Sequence, residues 1–139
     1  MIAADTNVLV YAFDADEVVK RPKAEALLDS LARQPGDSVL LWQVAGEFLN
    51  WLRKWEAAGR MSAADVEVHF RDVLAAFPLQ LPSVACFEIS FTLRSRYSLS
   101  HWDSMLLGAC KEAGVTRLYS EDMQDGADYD GVSIINPFA

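Results

Sequence analysis

Apolar residues along the chain fall into short runs that alternate with longer stretches of helical spacing. "MIAA" at the N-terminus stops at Asp5 and reads as a buried strand. "TNVLVYAFD" follows, with Thr6 or Asn7 placed to cap a short helix. Between residues 20 and 34, Ala24, Leu27, Leu28 and Leu31 share one helical face. "PGD" breaks that pattern, and "SVLLW" (38–42) predicts a second strand. Val44, Phe48, Leu52 and Trp55 then recur at helical spacing, in a helix that Gly59 ends. Ser62 with Asp65 resembles a capping box for a helix running through Phe77. "PLQLPS" predicts a third strand bounded by prolines, Ser83 caps a helix reaching Tyr97, and Ser100 opens another that Gly114 stops. Val115 to Tyr119 and Val132 to Ile135 complete the strands.

Helices alternating with continuous apolar strands predict a parallel sheet covered on both faces. Nothing repeats, and no linker divides the 139 residues, so one domain spanning 1–139 is expected.

Composition changes this picture in one respect. Hydrophobic residues make up 52% of the chain, ample for one core, but the net charge is -8 and the pI about 4.6. Phosphate contacts want Lys and Arg, so the balance argues against a simple electrostatic nucleic-acid binder. It leaves open a site that holds divalent cations, which is itself acidic and whose local field the cations reverse. Cys86 and Cys110 lie in apolar helical patterns without zinc-ligand spacing and read as buried free thiols of a reducing cytosol. The N-terminus lacks the positive region of a signal peptide. No apolar run approaches the ~18 residues of a membrane span.

Ligands of open α/β sheets bind beyond the carboxyl ends of the strands. Asp5 ends strand one, and Asp122 lies just past strand four, so the two face one crevice if those strands are neighbours. Asp103 lies in the first turn of the helix leading into strand four, and Glu47 early in the helix after strand two. Each has a plainer alternative. Asp103 completes a capping box with Ser100, Glu47 is a solvated helix residue, and Asp122 starts a turn. Asp5 is the hardest to dismiss, because a buried Asp needs a partner or a metal. Asp125 is a weaker candidate, and Asp14, Asp16, Glu17, Asp128 and Asp130 read as solvated loop charges. His69 reads as packing or surface.

Carboxylates converging without Lys or Arg between them repel, a problem that Mg²⁺ or Mn²⁺ solves with oxygen ligands. The chemistry expected there is phosphate-ester hydrolysis by metal-activated water. Two rivals fit poorly. A receiver domain needs a Lys after a late strand, where "YSED" stands, and a haloacid-dehalogenase-like phosphatase needs Asp-x-Asp, where Asp5 is followed by Thr6 and Asn7.

The stretches "DTNVLVYAFD", "GEF", "WDSMLLGACKEAGVTRLYSEDMQDG" and "INPF" together resemble the PIN-domain ribonucleases, and specifically the VapC-type toxins of bacterial toxin–antitoxin pairs. The resemblance implies an α/β/α sandwich with a central parallel sheet of about five strands. It implies that Asp5, Glu47, Asp103 and Asp122 form a catalytic quartet binding Mg²⁺ or Mn²⁺, with Asp125 as an additional acid and Thr6 and Asn7 bracing the first Asp. It implies endonucleolytic cleavage of RNA, often tRNA or ribosomal RNA, in the cytoplasm. A homodimer and inhibition by a cognate antitoxin are further expectations. Arg94, Arg96 and His101 are the candidate RNA contacts, and "KRPK" (20–23) is a second basic spot. A catalytically silent PIN-like module is the non-enzyme alternative. Four indoles, Trp42, Trp51, Trp55 and Trp102, are many for one small domain; Trp51 and Trp55 share a helix face that suits a dimer surface.

Overall fold

The first strand and first helix organise everything around them. In the computed structural model, which describes all 139 residues, β1 (Ile2–Ala4) runs directly into α1 (Thr6–Phe13). Val8, Leu9, Val10 and Ala12 of α1 are buried, as expected of a helix that is apolar on most of its sides. The helix is capped by Asp5, one residue earlier than expected, through a bond from the Thr6 N–H to Asp5 Oδ1 at 2.7 Å.

The chain continues through α2 (Lys20–Ala32), β2 (Leu40–Leu41), α3 (Trp42–Ala57), α4 (Ala63–Ala76) and β3 (Leu79–Gln80). It ends with α5 (Ala85–Arg96), α6 (His101–Glu112), β4 (Arg117–Tyr119), β5 (Asp128–Tyr129) and β6 (Val132–Ile135). Strands β1, β4 and β6 pair in parallel, with Ala4 opposite Tyr119 and Tyr119 opposite Ile135. β5 adds an antiparallel edge. β2 and β3 form a parallel pair, joined to β1 by a bridge between Ile2 and Ser38. The spatial order is therefore 3-2-1-4-6-5, a mostly parallel sheet with helices on both sides.

Two differences from expectation are local. The second strand contracts to Leu40–Leu41 because Trp42 already begins α3. β5 is a sixth strand with no apolar signature; its exposed and half-buried Asp128 and Tyr129 are ordered by pairing with Ser133 and Val132.

The core gathers Phe48, Leu52, Leu107, Leu118 and Ile134 from both layers and the sheet. α5 and α6 cross closely at Gly108, where a Cβ would stand 2.9 Å from the Cys86 carbonyl oxygen. Cys86 and Cys110 are buried free thiols. Gly114, at φ 76°, stops α6 as expected: its N–H reaches Lys111 O, and the Val115 N–H reaches Cys110 O.

Trp51 and Trp55 do not present a joint surface. Their rings lie 6.3 Å apart, but Trp55 belongs to the core and carries the Arg60 guanidinium over its face at 5.1 Å. Trp51 is exposed, and other exposed large apolar residues include Trp42, Leu81, Val84, Phe87, Phe91 and Trp102. His69 packs against Phe13. No helix is long and apolar enough to cross a membrane.

Candidate active site

The strand order reverses between β1 and β4, and ligands of open sheets bind at such a point. The Asp5 N–H donates to the Tyr119 carbonyl at 2.8 Å, so the residues following the two strands leave the sheet side by side. Asp5 is only 7% exposed. Its Oδ2 accepts from the Ser120 hydroxyl at 2.8 Å, and the same hydroxyl accepts the Asp122 N–H at 3.2 Å. Ser120 thus joins the two acids.

Thr6 and Asn7, at the start of α1, extend the arrangement outwards. The Thr6 hydroxyl donates to Glu47 Oε2 at 2.6 Å, and Gln43 donates to Glu47 Oε1 at 3.0 Å. The Asn7 amide donates to Asp122 Oδ2 at 2.9 Å and, at 3.5 Å, to Glu121 Oε1. These side chains brace Glu47 and Asp122, whereas Asp5 is held by the Thr6 backbone and Ser120.

At the start of α6 the Asp103 N–H donates to the Ser100 hydroxyl at 3.1 Å, which is one half of a capping box. The Asp103 carboxylate is also close enough to Asp122 to raise its pKa.

The electrostatics report convergence. Burial pushes Asp5 up from 3.8 to about 6, against the bonds from Thr6 and Ser120, with Asp122 and Glu47 adding to the rise. Asp122 is raised too, by partial desolvation first and then by Glu121, Asp103 and Glu47, with Asn7 opposing. Asp122 and Glu47 thus bear on Asp5, and Asp103 and Glu47 on Asp122; no Lys or Arg forms an ion pair with any of the four.

No three His, Cys, Asp or Glu side chains are gathered into a ready-made metal cage. The donor chemistry nonetheless suits a hard divalent cation: all oxygen, anionic and uncompensated by any ammonium or guanidinium.

The remaining candidates make contacts of their own. Asp125 Oδ1 accepts the Asn136 N–H at 2.8 Å and ties its loop to the end of β6. Arg96 donates to Asp130 Oδ1 at 2.9 Å, so its guanidinium is engaged in the β5–β6 turn. Arg94 is exposed, and His101 stands edge-on to Trp102 at 4.6 Å. Asp130 is not a free loop charge, and neither are Asp14 and Asp16, which share Arg60.

Two features escaped sequence reasoning. Ser120 gave only a weak signal, a small hydroxyl directly after an apolar strand. Glu121 was visible as an acid, but its partners were not: the Tyr11 hydroxyl and Lys20 at 3.0 Å. A groove of about 510 Å³ between α1, α2 and α4 is lined by Phe13, Leu28, His69 and Phe77 among others and contains none of the quartet. A smaller cleft of about 290 Å³ lies between Trp42 and Trp102, beside Gln43.

The chain matches the PIN domain family over residues 2–125. It belongs to that family. PIN domains are nucleases and generally use divalent metal ions. No curated protein matches the chain significantly by sequence. Among solved structures, a toxin–antitoxin complex from Klebsiella pneumoniae is similar at 21% identity and TM-score 0.72, over 99% of this chain and 98% of that one. VapC20 of Mycobacterium tuberculosis, a sarcin–ricin loop cleaving toxin, is similar at 15% identity and TM-score 0.61, over 86% and 88%. A Pyrobaculum aerophilum protein is similar at 17% identity and TM-score 0.62, over 96% and 83%. At these identities the likeness is one of fold.

Proposed function

We propose that this PIN domain is a Mg²⁺- or Mn²⁺-dependent endoribonuclease that hydrolyses RNA phosphodiesters and acts as the toxin of a type II toxin–antitoxin pair. The observation that carries the reading is the pair of acids at the switch point of the sheet, Asp5 and Asp122 joined through Ser120, with Glu47 and Asp103 bearing on them and no cation paired to any of the four. A bound divalent ion supplies the missing positive charge and an activated water for attack on phosphorus.

Asp5, Asp103 and Asp122, with Glu47 beside them, would hold that ion. Ser120 fixes Asp5 relative to Asp122, and Thr6 and Asn7 fix Glu47 and Asp122, so that the carboxylates keep their places when the ion is exchanged. Asp125 orders the loop that carries Asp122 and is the additional acid of the set.

The partners follow from surface and charge. Exposed carboxylates suit a basic side chain of an antitoxin, and the Klebsiella pneumoniae complex supports that class of partner. A second copy of the chain covers the apolar face of Val84, Phe87 and Phe91 on and beside α5. The buried thiols Cys86 and Cys110 fit a cytoplasmic site of action.

The test is cleavage of total RNA by the purified chain, with Mg²⁺ or Mn²⁺ and with EDTA, followed by mapping of the new RNA ends. Discrete cuts that EDTA abolishes are expected. A folded protein that leaves RNA intact with either metal is a binding module instead.

A further inference from the structure

A nuclease of net charge -8 has to hold a polyanion, and of the residues first suspected of doing so none is bonded to the quartet or its neighbours. Arg96 is engaged by Asp130, and Arg94 makes no ion pair. Among the 12 Lys and Arg of the chain, one alone is bonded into the surroundings of the quartet. Lys20 Nζ lies 3.0 Å from Glu121 Oε2, and Glu121 shares the Asn7 amide with Asp122.

The setting of Lys20 is specific. Its ammonium donates to the Tyr11 hydroxyl at 3.5 Å and stands 4.8 Å from the Tyr11 ring centroid and 5.8 Å from that of Phe138. Those two rings meet edge to face at 5.2 Å. The Tyr11 hydroxyl donates to Glu121, so two residues address Glu121 while two aromatic faces confine the ammonium. An ammonium has three donors. Two are used here, and the side chain remains 37% exposed, which leaves one N–H for a ligand without breaking the contact to Glu121.

Helix stability does not account for this residue. Lys20, Arg21 and Lys23 occupy the first turn of α2, which holds no acid of its own; Glu17, before it, accepts the Lys20 N–H at 3.4 Å. Cations there oppose the helix dipole. Arg21 is offset by Glu25 at 2.7 Å; Lys20 is instead directed at the edge of the acidic crevice.

We propose that Lys20 is a substrate-binding residue, contacting a backbone phosphate of the RNA next to the one being cleaved, with Glu121 and Tyr11 as the residues that position its ammonium. The inference rests on the nuclease reading above and names the cation that reading lacks. Lys20 gives the strand its register over the carboxylates, and its effect belongs to binding rather than to the chemical step.

The test uses binding and cleavage separately. Binding of a short fluorescein-labelled single-stranded RNA is followed by anisotropy in Mg²⁺ across a salt series, in an Asp5→Asn background that prevents cutting. Lys20→Met is expected to weaken binding on the order of tenfold at low salt and to reduce the slope of log affinity against log salt by about 0.7, the loss of one single-strand phosphate contact. Lys20→Arg is expected to restore most of both. With Asp5 intact, Lys20→Met is expected to raise KM while kcat stays within about twofold. Lys20→Gln, which keeps a donor for Glu121, replaces Lys20→Met if that variant does not fold.

Unchanged affinity and salt slope overturn the proposal, as does a fall in kcat at constant KM, which makes Lys20 a brace for Glu121. RNA that binds through Lys20 yet is never cut when Asp5 is present overturns the nuclease reading and leaves the phosphate contact standing.

Discussion

Two acidic regions of this molecule have opposite electrostatics. In the β5–β6 turn, Asp130 accepts from Lys111 at 2.8 Å and from Arg96 at 2.9 Å, and those cations hold its carboxyl below the usual range. At the switch point, Asp5 and Asp122 are pushed up, by burial first and then by the acids that are their neighbours. Asp130 is completed by the protein: its two cations tie α5 and α6 to a turn whose backbone sits at φ 54°. The quartet is left incomplete by the protein. A fold that merely tolerated those acids would gain stability by losing one of them, and that is the sense in which they point to a ligand.

The largest effect expected from breaking this contrast is on catalysis. Asp5→Asn should slow RNA cleavage by about two orders of magnitude or more, the scale of losing a key electrostatic group, and single-turnover rates measure it. Stability should respond to pH in the direction set by burial. Asp5 binds its proton more tightly folded, at about 6, than unfolded, near 3.8. The metal-free protein should therefore lose stability as pH rises between those values, by roughly 2 to 3 kcal/mol from this residue. Asp5→Asn should flatten that dependence in thermal scans with EDTA, and should raise the melting temperature at pH 7.

Asp103 sharpens the comparison at its most ambiguous member. If it belongs to the quartet, metal near a hundredfold excess over its dissociation constant stabilises the wild type by about 2 to 3 kcal/mol and Asp103→Asn by much less. A variant that keeps the full metal shift and the full cleavage rate would return Asp103 to its capping role with Ser100. The smallest effect is expected on the other side of the contrast. Asp130→Asn should lower the melting temperature modestly, equally with and without metal, and leave kcat unchanged.

The strongest sequence signals were those written in the chain's own periodicity. The spacing of Val44, Phe48, Leu52 and Trp55 located α3 and its buried face, and the apolar run before Asp5 located β1. The acids of the quartet could be named one by one, and the adjacency of β1 and β4 was a condition that the structure meets. What escaped was set by tertiary partners. Asp128 and Tyr129 have no strand pattern and become β5 only by pairing with β6. The capping duty moved from Thr6 or Asn7 to Asp5 because Thr6 and Asn7 use their side chains on Glu47 and Asp122. Arg96 looked free because Asp130 lies 34 residues away in sequence. Trp55 could be read both as core and as half of a surface pair with Trp51, because a Trp pair at helical spacing does not reveal which ring the core takes. Ser120, wholly buried between Asp5 and Asp122, is marked in the sequence only by its place directly after an apolar strand.

The claim that the quartet is completed by a divalent ion is tested most directly by titrating Mn²⁺ into the purified chain and following the paramagnetic resonance of the free ion. The wild type is expected to remove Mn²⁺ from solution saturably, Mg²⁺ to release it, and Asp5→Asn to bind far more weakly. Equal binding by wild type and a folded Asp5→Asn protein, or none by either, would contradict the account.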